Sequence, residues 1–446
     1  MMPIEVVPSG PVRASLRAPA SKSVTNRLLV ISALAEGPSL LRHPLDSDDT
    51  RAMRAAITAL GARVDDAEDG WLVRGTGGRL GARSRSYGYG PGRCRRVRAQ
   101  APLGETIDID ARLSGTTMRF AVAMAALAGG PVTVTGAAPL LRRPISPLLA
   151  ALRALGADVL DGPEVSPVRL GGGGLKGGSV EVDISRSTQF ASAILLVAPY
   201  AAEGVRIHVT GEGASGYLAM TLEAMARWGV AVDRIGAATW YVAPDQPYRA
   251  RDETVEHDAS AAAHLFALAA ATGGEVTVTN AGQPTSQPDA GLPALLERMG
   301  CSVVRDQDAL TVAGPARLHP LHADLRAMPD QVTTLAALAA LAEGTSVLRG
   351  VAVARGHETD RLAALAHQLR ALGVTVTELP DGLEITGGAR GPANLATHDD
   401  HRLAMAFAAI GARIPGVVVE DPECVAKTYP QFWSDVAEAG VRWRST

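Results

Sequence analysis

The chain has 446 residues, 47% hydrophobic and only 4% aromatic, with 43 Lys+Arg against 46 Asp+Glu for a formal net charge of -3. One hydrophobic core is disfavoured at this length, and two domains of about 200 residues are expected. The balanced charge argues against nucleic acid or an anionic membrane as the main partner. No uncharged apolar stretch is long enough to span a bilayer, and residues 1–30 lack a basic start followed by a long apolar run. A cytoplasmic protein is therefore expected. The three cysteines, Cys94, Cys301 and Cys424, lie far apart without metal-ligand spacing and fit unpaired thiols in a reducing compartment.

From the N-terminus, the first junction is APASKSVTNRLLVISALAEG (18–37). Pro19 and Ser21 suit a helix start, and Lys22, Ser23 and Arg27 would face an anion at its N-terminus. Next come LAEGPSLLRHPL (34–45), a small apolar run ending in glycine and followed by a strand, and MRAAITALGARV (53–64), a helix closed by glycine and followed by a strand. Residues 75–104 are Gly/Arg-rich and aperiodic, and read as a surface loop. SGTTMRF (114–120) places a glycine, two hydroxyls and Arg119 at another helix start. The run 171–179, GGGGLKGGS, reads as a connector between strands, because no Lys-Ser/Thr helix start follows it. SRSTQFASAILL (185–196) sets Arg186, Ser187, Thr188 and Gln189 ahead of an apolar helix. RGHETDRLAAL (355–365) places Glu358 and Arg361 three apart on one predicted face, and DDHRLAMAFAAI (399–410) adds Asp399, Asp400 and Arg402.

Two phrases organise this series. Small apolar residues, glycine and a strand recur with the glycine at Gly37, Gly130, Gly204, Gly274, Gly344 and Gly416, in steps of 93, 74, 70, 70 and 72 residues. Between them recurs the helix-glycine-strand phrase, at 53–64, 148–159, 221–232, 292–303 and 362–376. Leu, Ala and Met spaced three or four apart give these helices one apolar face, and each glycine sits where a C-cap needs positive φ. Such a unit cannot bury its helices alone and must pack on its copies. The expected fold is α/β, with six units divided three per domain, apolar helices inside and sheets outside. The alternative of an ordinary doubly wound α/β sheet leaves the near-equal period unexplained. Hydroxyls and cations at several helix starts point to a ligand with more than one anionic group.

These stretches resemble the enolpyruvyl transferase family, and within it the 5-enolpyruvylshikimate-3-phosphate synthases. The resemblance rests on PASKSVTNR (19–27), ARLSGTTMR (111–119), STQF (187–190), MPD (328–330), GHETDRL (356–362), DDHRLAM (399–405) and AKTYPQFW (426–433), and runs from about residue 12 to 440. It implies a two-domain inside-out α/β barrel of six βαβαββ units. Residues 1–20 with 247–446 would form one domain and 21–246 the other, with the active site in the cleft between them.

The implied reaction moves the enolpyruvyl group of phosphoenolpyruvate to the 5-hydroxyl of shikimate 3-phosphate through a tetrahedral intermediate, releasing phosphate. No cofactor or metal is implied, and the expected state is a monomer. By resemblance, Asp330 and Glu358 are the acid/base pair and Lys22 touches both substrates. Ser23, Arg27, Ser187, Thr188, Gln189, Tyr217 and His357 bind the acceptor. Gly115, Arg361, Arg402 and Lys427 hold phosphoenolpyruvate, with Arg142 or Arg143 as a further cation in undecided register. The chain departs from the family pattern at Ala20, Arg112, Leu113, Val353 and His357. Those departures keep a different cyclic hydroxy-acid acceptor, or a non-catalytic homologue, open as alternatives. The related UDP-N-acetylglucosamine enolpyruvyl transferases are disfavoured, because 138–147 has no cysteine.

Overall fold

The computed structural model describes residues 2–81, 106–160, 167–211, 213 and 215–446. Cys94 and most of the basic stretch 75–104 lie outside them. The chain divides into two compact units: Met1–Lys22, Gly213–Tyr217 and Glu256–Thr446 form the first, and Ser23–Glu212 with Leu218–Val255 the second.

These divisions differ from those expected from the sequence. In the first unit, the Ser21 amide donates to the Glu256 carbonyl at 2.8 Å and the Lys22 amide to Asp258 at 3.0 Å. Lys22 therefore groups with the first unit, where the sequence reading placed it in the second. In the second unit, Glu253–Thr254 extends the sheet of Pro38–Arg42 in parallel, so the chain leaves that unit later than residue 247.

Among the described residues, six four-stranded sheets share one connectivity: a parallel pair, then two antiparallel neighbours. In every sheet the second strand follows a repeat glycine: Pro38–Arg42, Val132–Thr135, Val205–Thr210, Glu275–Val278, Thr345–Arg349 and Val417–Val419. Three sheets are completed by strands distant in sequence. Ile4–Val7 pairs with Val417–Val419 and Arg442–Ser445, and Arg13–Leu16 joins Glu275–Val278. The third is Glu253–Thr254. Gly274 lies so close to the chain entering Arg13–Leu16 that a Cβ there would stand 2.1 Å from the Val12 carbonyl oxygen.

The helices come in two kinds. Gly115–Ala125 and His401–Gly411 are buried at every residue, and in Ala259–Thr272 only Ser260 is not. Such helices lack a polar face because packing surrounds them. Asp48–Ala59, Ser146–Ala154 and Arg361–Ala371 bury one side only. They close in Gly61, Gly156 and Gly373, all at positive φ, where a side chain would be strained. A sixth copy of this phrase, Phe432–Glu438 with Gly440 and Arg442–Ser445, is present. The sequence reading did not include it.

Candidate active site

In the first unit the chemistry gathers at helix starts. Asp258, Asp360 and Asp400 each cap a helix, accepting from the amides of Ala261, Ala363 and Arg402. Asp258 also holds the Lys22 amide, which fixes where the Lys22 side chain begins. Asp400 has no exposed side-chain surface. Its two oxygens receive Arg361 Nε at 2.7 Å and Nη2 at 3.2 Å. One carboxylate thus clamps Arg361 in a fork and caps the helix that carries Arg402.

Arg361 is almost wholly buried and reaches three carboxylates. Besides Asp400, its Nη1 donates to Asp330 at 2.7 Å and its Nη2 to Glu358 at 2.9 Å. The second Glu358 oxygen receives Lys427 Nζ at 3.1 Å. Asp330 also receives Arg402 Nη2 at 3.1 Å and the Tyr217 hydroxyl at 3.0 Å. Glu358 lies in the loop before the helix Arg361–Ala371, not on its face, so the expected same-face pairing is formed by a turn. Arg361 Nη1 also meets His357 Nδ1 at 2.9 Å. A guanidinium can only donate, so this Nδ1 accepts. The same Nδ1 lies 3.3 Å from Asp330 Oδ1.

The charges set the protonation states. Burial acts to raise the Asp330 pKa, but Arg402, His357 and Arg361 act against it and hold the carboxyl well below the usual range. Burial, and then Asp289 and Asp330, push the Tyr217 phenol well above its ordinary value. His401 is buried beside Lys22, Glu358, Lys427 and Arg402, and burial keeps it well below the ordinary histidine value. That field places the Lys22 charge with this cluster. His264 is also held well below by burial, with Arg402 and Arg361 adding to it, and neither ring nitrogen has a partner among the described residues.

The second unit holds a separate cluster. Arg27 Nε donates to Thr221 Oγ1 at 2.8 Å, its Nη1 to the Ser23 carbonyl at 2.9 Å, and the Thr221 hydroxyl donates to Ser192 Oγ at 2.9 Å. Ser187 and Thr188 precede the helix Gln189–Val197, and Ser187 Oγ accepts the Gln189 amide at 3.2 Å. Gln189 Nε2 bonds Thr116 at 3.2 Å, which joins two helix starts. Gly115 opens the second of these. A Cβ there would lie 2.5 Å from Arg119 Nη1 and 2.8 Å from Arg143 Nη1.

The structure brings Arg143 to Gly115 and leaves Arg142 exposed. It adds Arg119, whose Nη1 donates to the Gly115 carbonyl at 2.9 Å. The sequence reading did not assign Arg119, Asp289, His264, Asp400 or His401 to the site. Arg119 and Asp400 were visible within quoted motifs. Asp289 and His264 carry no local signal.

No group of three or more His, Cys, Asp or Glu among the described residues could hold a metal ion. Clustered cations, helix N-termini and buried carboxylates on a repeated α/β frame define a class: an enzyme-like α/β protein built for polyanionic substrates.

Comparison narrows that class. The family model for EPSP synthase (3-phosphoshikimate 1-carboxyvinyltransferase) matches residues 6–88 and 92–436. The chain is 40% identical over 439 residues to the 3-phosphoshikimate 1-carboxyvinyltransferase of Methanosphaerula palustris, covering 97% of this chain and 98% of that one. The protein of the same name from Kocuria rhizophila is 40% identical over 435 residues, covering 96% and 94%. Among solved structures, EPSP synthase from Acinetobacter baumannii aligns over all of both chains with TM-score 0.79 at 24% identity. The enolpyruvyl transferase NikO from Streptomyces tendae aligns over 99% and 98% with TM-score 0.73 at 16% identity. The chain belongs to the EPSP synthase family.

Proposed function

We propose that the chain transfers the enolpyruvyl group of phosphoenolpyruvate to the 5-hydroxyl of shikimate 3-phosphate and releases phosphate. The observation that carries this reading is the Arg361, Arg402 and Lys427 set, with Asp330 and Glu358 held among the cations. Three cations fit a carboxylate and a phosphate on one small substrate, and the carboxylates are those of an addition-elimination at carbon.

In this reading Arg361, Arg402 and Lys427, with Arg143 at Gly115, take phosphoenolpyruvate. Ser23, Arg27, Ser187, Thr188, Gln189, Tyr217 and His357 take the acceptor, and Lys22 serves both. Asp330, ionised at neutral pH, accepts the proton of the attacking hydroxyl, which then adds to C2 of phosphoenolpyruvate. Glu358 supplies a proton to the methylene carbon and withdraws one as phosphate leaves. Charge builds on the phosphate and carboxylate oxygens, where fixed cations stabilise it most. We further read the fold as two inside-out barrels, each of three βαβαββ units, with the domain division described above.

A second acceptor is weighed because His357 stands where many family members carry lysine, and here its Nδ1 is engaged by Arg361. That leaves less charge for the acceptor's phosphate. The test is phosphate release from phosphoenolpyruvate with shikimate 3-phosphate, run beside other cyclic hydroxy-acids. Turnover with shikimate 3-phosphate, reduced at least about 100-fold in Glu358→Gln with substrate binding retained, supports the proposal. Turnover only with another acid replaces the acceptor, and an unchanged rate in Glu358→Gln removes Glu358 from the chemistry.

A further inference from the structure

We propose that His357 takes the captured proton from Asp330, through the contact between its Nδ1 and Asp330 Oδ1. This rests on the reading of Asp330 as the base. His357 Nδ1 lies 3.3 Å from Asp330 Oδ1 and accepts from Arg361 Nη1 at 2.9 Å. The same Nη1 donates to Asp330 Oδ1 at 2.7 Å. Ring nitrogen, carboxylate oxygen and guanidinium nitrogen form a closed triangle, with two acceptors side by side under one donor.

That triangle fixes the tautomer of the ring. The Nδ1 lone pair is turned to Arg361, so the neutral imidazole carries its hydrogen on Nε2. Nε2 forms no hydrogen bond among the described residues. The lysine of many family members is an ammonium with no lone pair, so an acceptor at this position belongs to this chain's histidine.

The base needs such an outlet. Against the effect of burial, Arg402, His357 and Arg361 hold the Asp330 carboxyl well below the usual range, so it keeps a captured proton poorly. Of the described groups that touch this carboxylate, Arg361 and Arg402 only donate, and the Tyr217 hydroxyl donates to Oδ2. A phenol oxygen is a weak base, whereas an imidazole binds a proton more tightly than a carboxylate by about two to three pH units.

The O–H bond of the attacking hydroxyl breaks as one forms on the Asp330 carboxylate. That bond breaks in turn as an N–H bond forms at His357 Nδ1, which releases the Arg361 hydrogen. Arg361 is not stranded, because Asp330, Glu358 and Asp400 still accept from it. A neutral acid and a neutral ring become a carboxylate and an imidazolium in contact, and the base is restored. The His357 side chain is 18% exposed, so the imidazolium sheds a proton to water, and the departing phosphate takes one up from water.

The charged groups facing the ring are Arg361 and Asp330. Arg402 and Tyr217 act on the other Asp330 oxygen, and Glu358, next in the chain, is held by Arg361 and Lys427. Arg355, two residues before, is bound to Asp360 and Glu378.

The test is the pH profile of kcat for the full chain with phosphoenolpyruvate and shikimate 3-phosphate. The wild type should lose kcat as pH falls between about 8 and 5, where imidazoles titrate. His357→Asn supplies an oxygen that still accepts from Arg361 but binds no proton. It should lower kcat about 10- to 100-fold, remove the acid limb and leave KM for phosphoenolpyruvate within about twofold. In His357→Ala, added imidazole should raise kcat at least about fivefold. Wild-type kcat in His357→Asn, or an acid limb that persists there and so belongs to the substrates' phosphates or another group, overturns this inference alone. If His357→Asn does not fold, failure of imidazole to raise kcat in His357→Ala overturns it instead. Absence of wild-type turnover overturns the Asp330 reading and this one with it.

Discussion

Asp400 offers the sharpest test of how the cluster is held. Its carboxylate is fully buried, forks onto Arg361 at 2.7 and 3.2 Å, and caps the helix His401–Gly411 through the Arg402 amide at 3.0 Å. Asp400→Asn keeps an oxygen for the cap but loses the charge, and it can return only one neutral hydrogen bond to Arg361. A hydrogen bond to a charged group contributes about 1.5–3 kcal/mol. Arg361 still has Asp330 and Glu358, so it is not stranded, and the expected loss is about 2–3 kcal/mol. Asp400→Ala loses the cap as well, worth about 1 kcal/mol more. Urea unfolding followed by circular dichroism measures both, and the first corresponds to a fall in Tm of about 5–10 °C. Activity should fall in both, because Arg361 loses the partner that fixes its plane. Asp400→Asn within about 0.5 kcal/mol of the wild type, or indistinguishable from Asp400→Ala, would refute the clamp-and-cap account.

Stability should depend on pH through His264, whose folded pKa is depressed by burial. The stability it contributes is fully present above the unfolded value of about 6.5 and is lost as pH falls below it, by up to about 1.4 kcal/mol per unit. His264→Leu should flatten that slope between about pH 6 and 4, and an unaltered slope means another group sets it. Gly115→Ala pushes a Cβ against Arg119 and Arg143. Because both atoms end flexible side chains, the expectation is a raised KM for phosphoenolpyruvate with a stability change below about 1 kcal/mol. Thr221→Val strips the bridge between Arg27 and Ser192. Leaving those buried polar groups unmatched costs about 1–3 kcal/mol and should raise KM for shikimate 3-phosphate, not for phosphoenolpyruvate.

The local grammar of this protein is written in its sequence. All six repeat glycines precede the second strand of a four-stranded sheet, and Asp400 sits where a helix must be capped. Chain period, glycine placement and cap chemistry are properties of neighbouring residues, so they can be read without coordinates. The partners of distant segments cannot. Ile4 pairs with Val419, and Lys22 is tied to Asp258, because sheet edges and helix starts complete their hydrogen bonds wherever a matching edge arrives. The same holds for the site. Arginines at helix starts announce an anion. Only the folded chain decides that Arg143 and not Arg142 meets Gly115, and that Arg361 is shared among three carboxylates. Burial and field determine what those groups do, and both come largely from segments tens of residues or more apart in sequence.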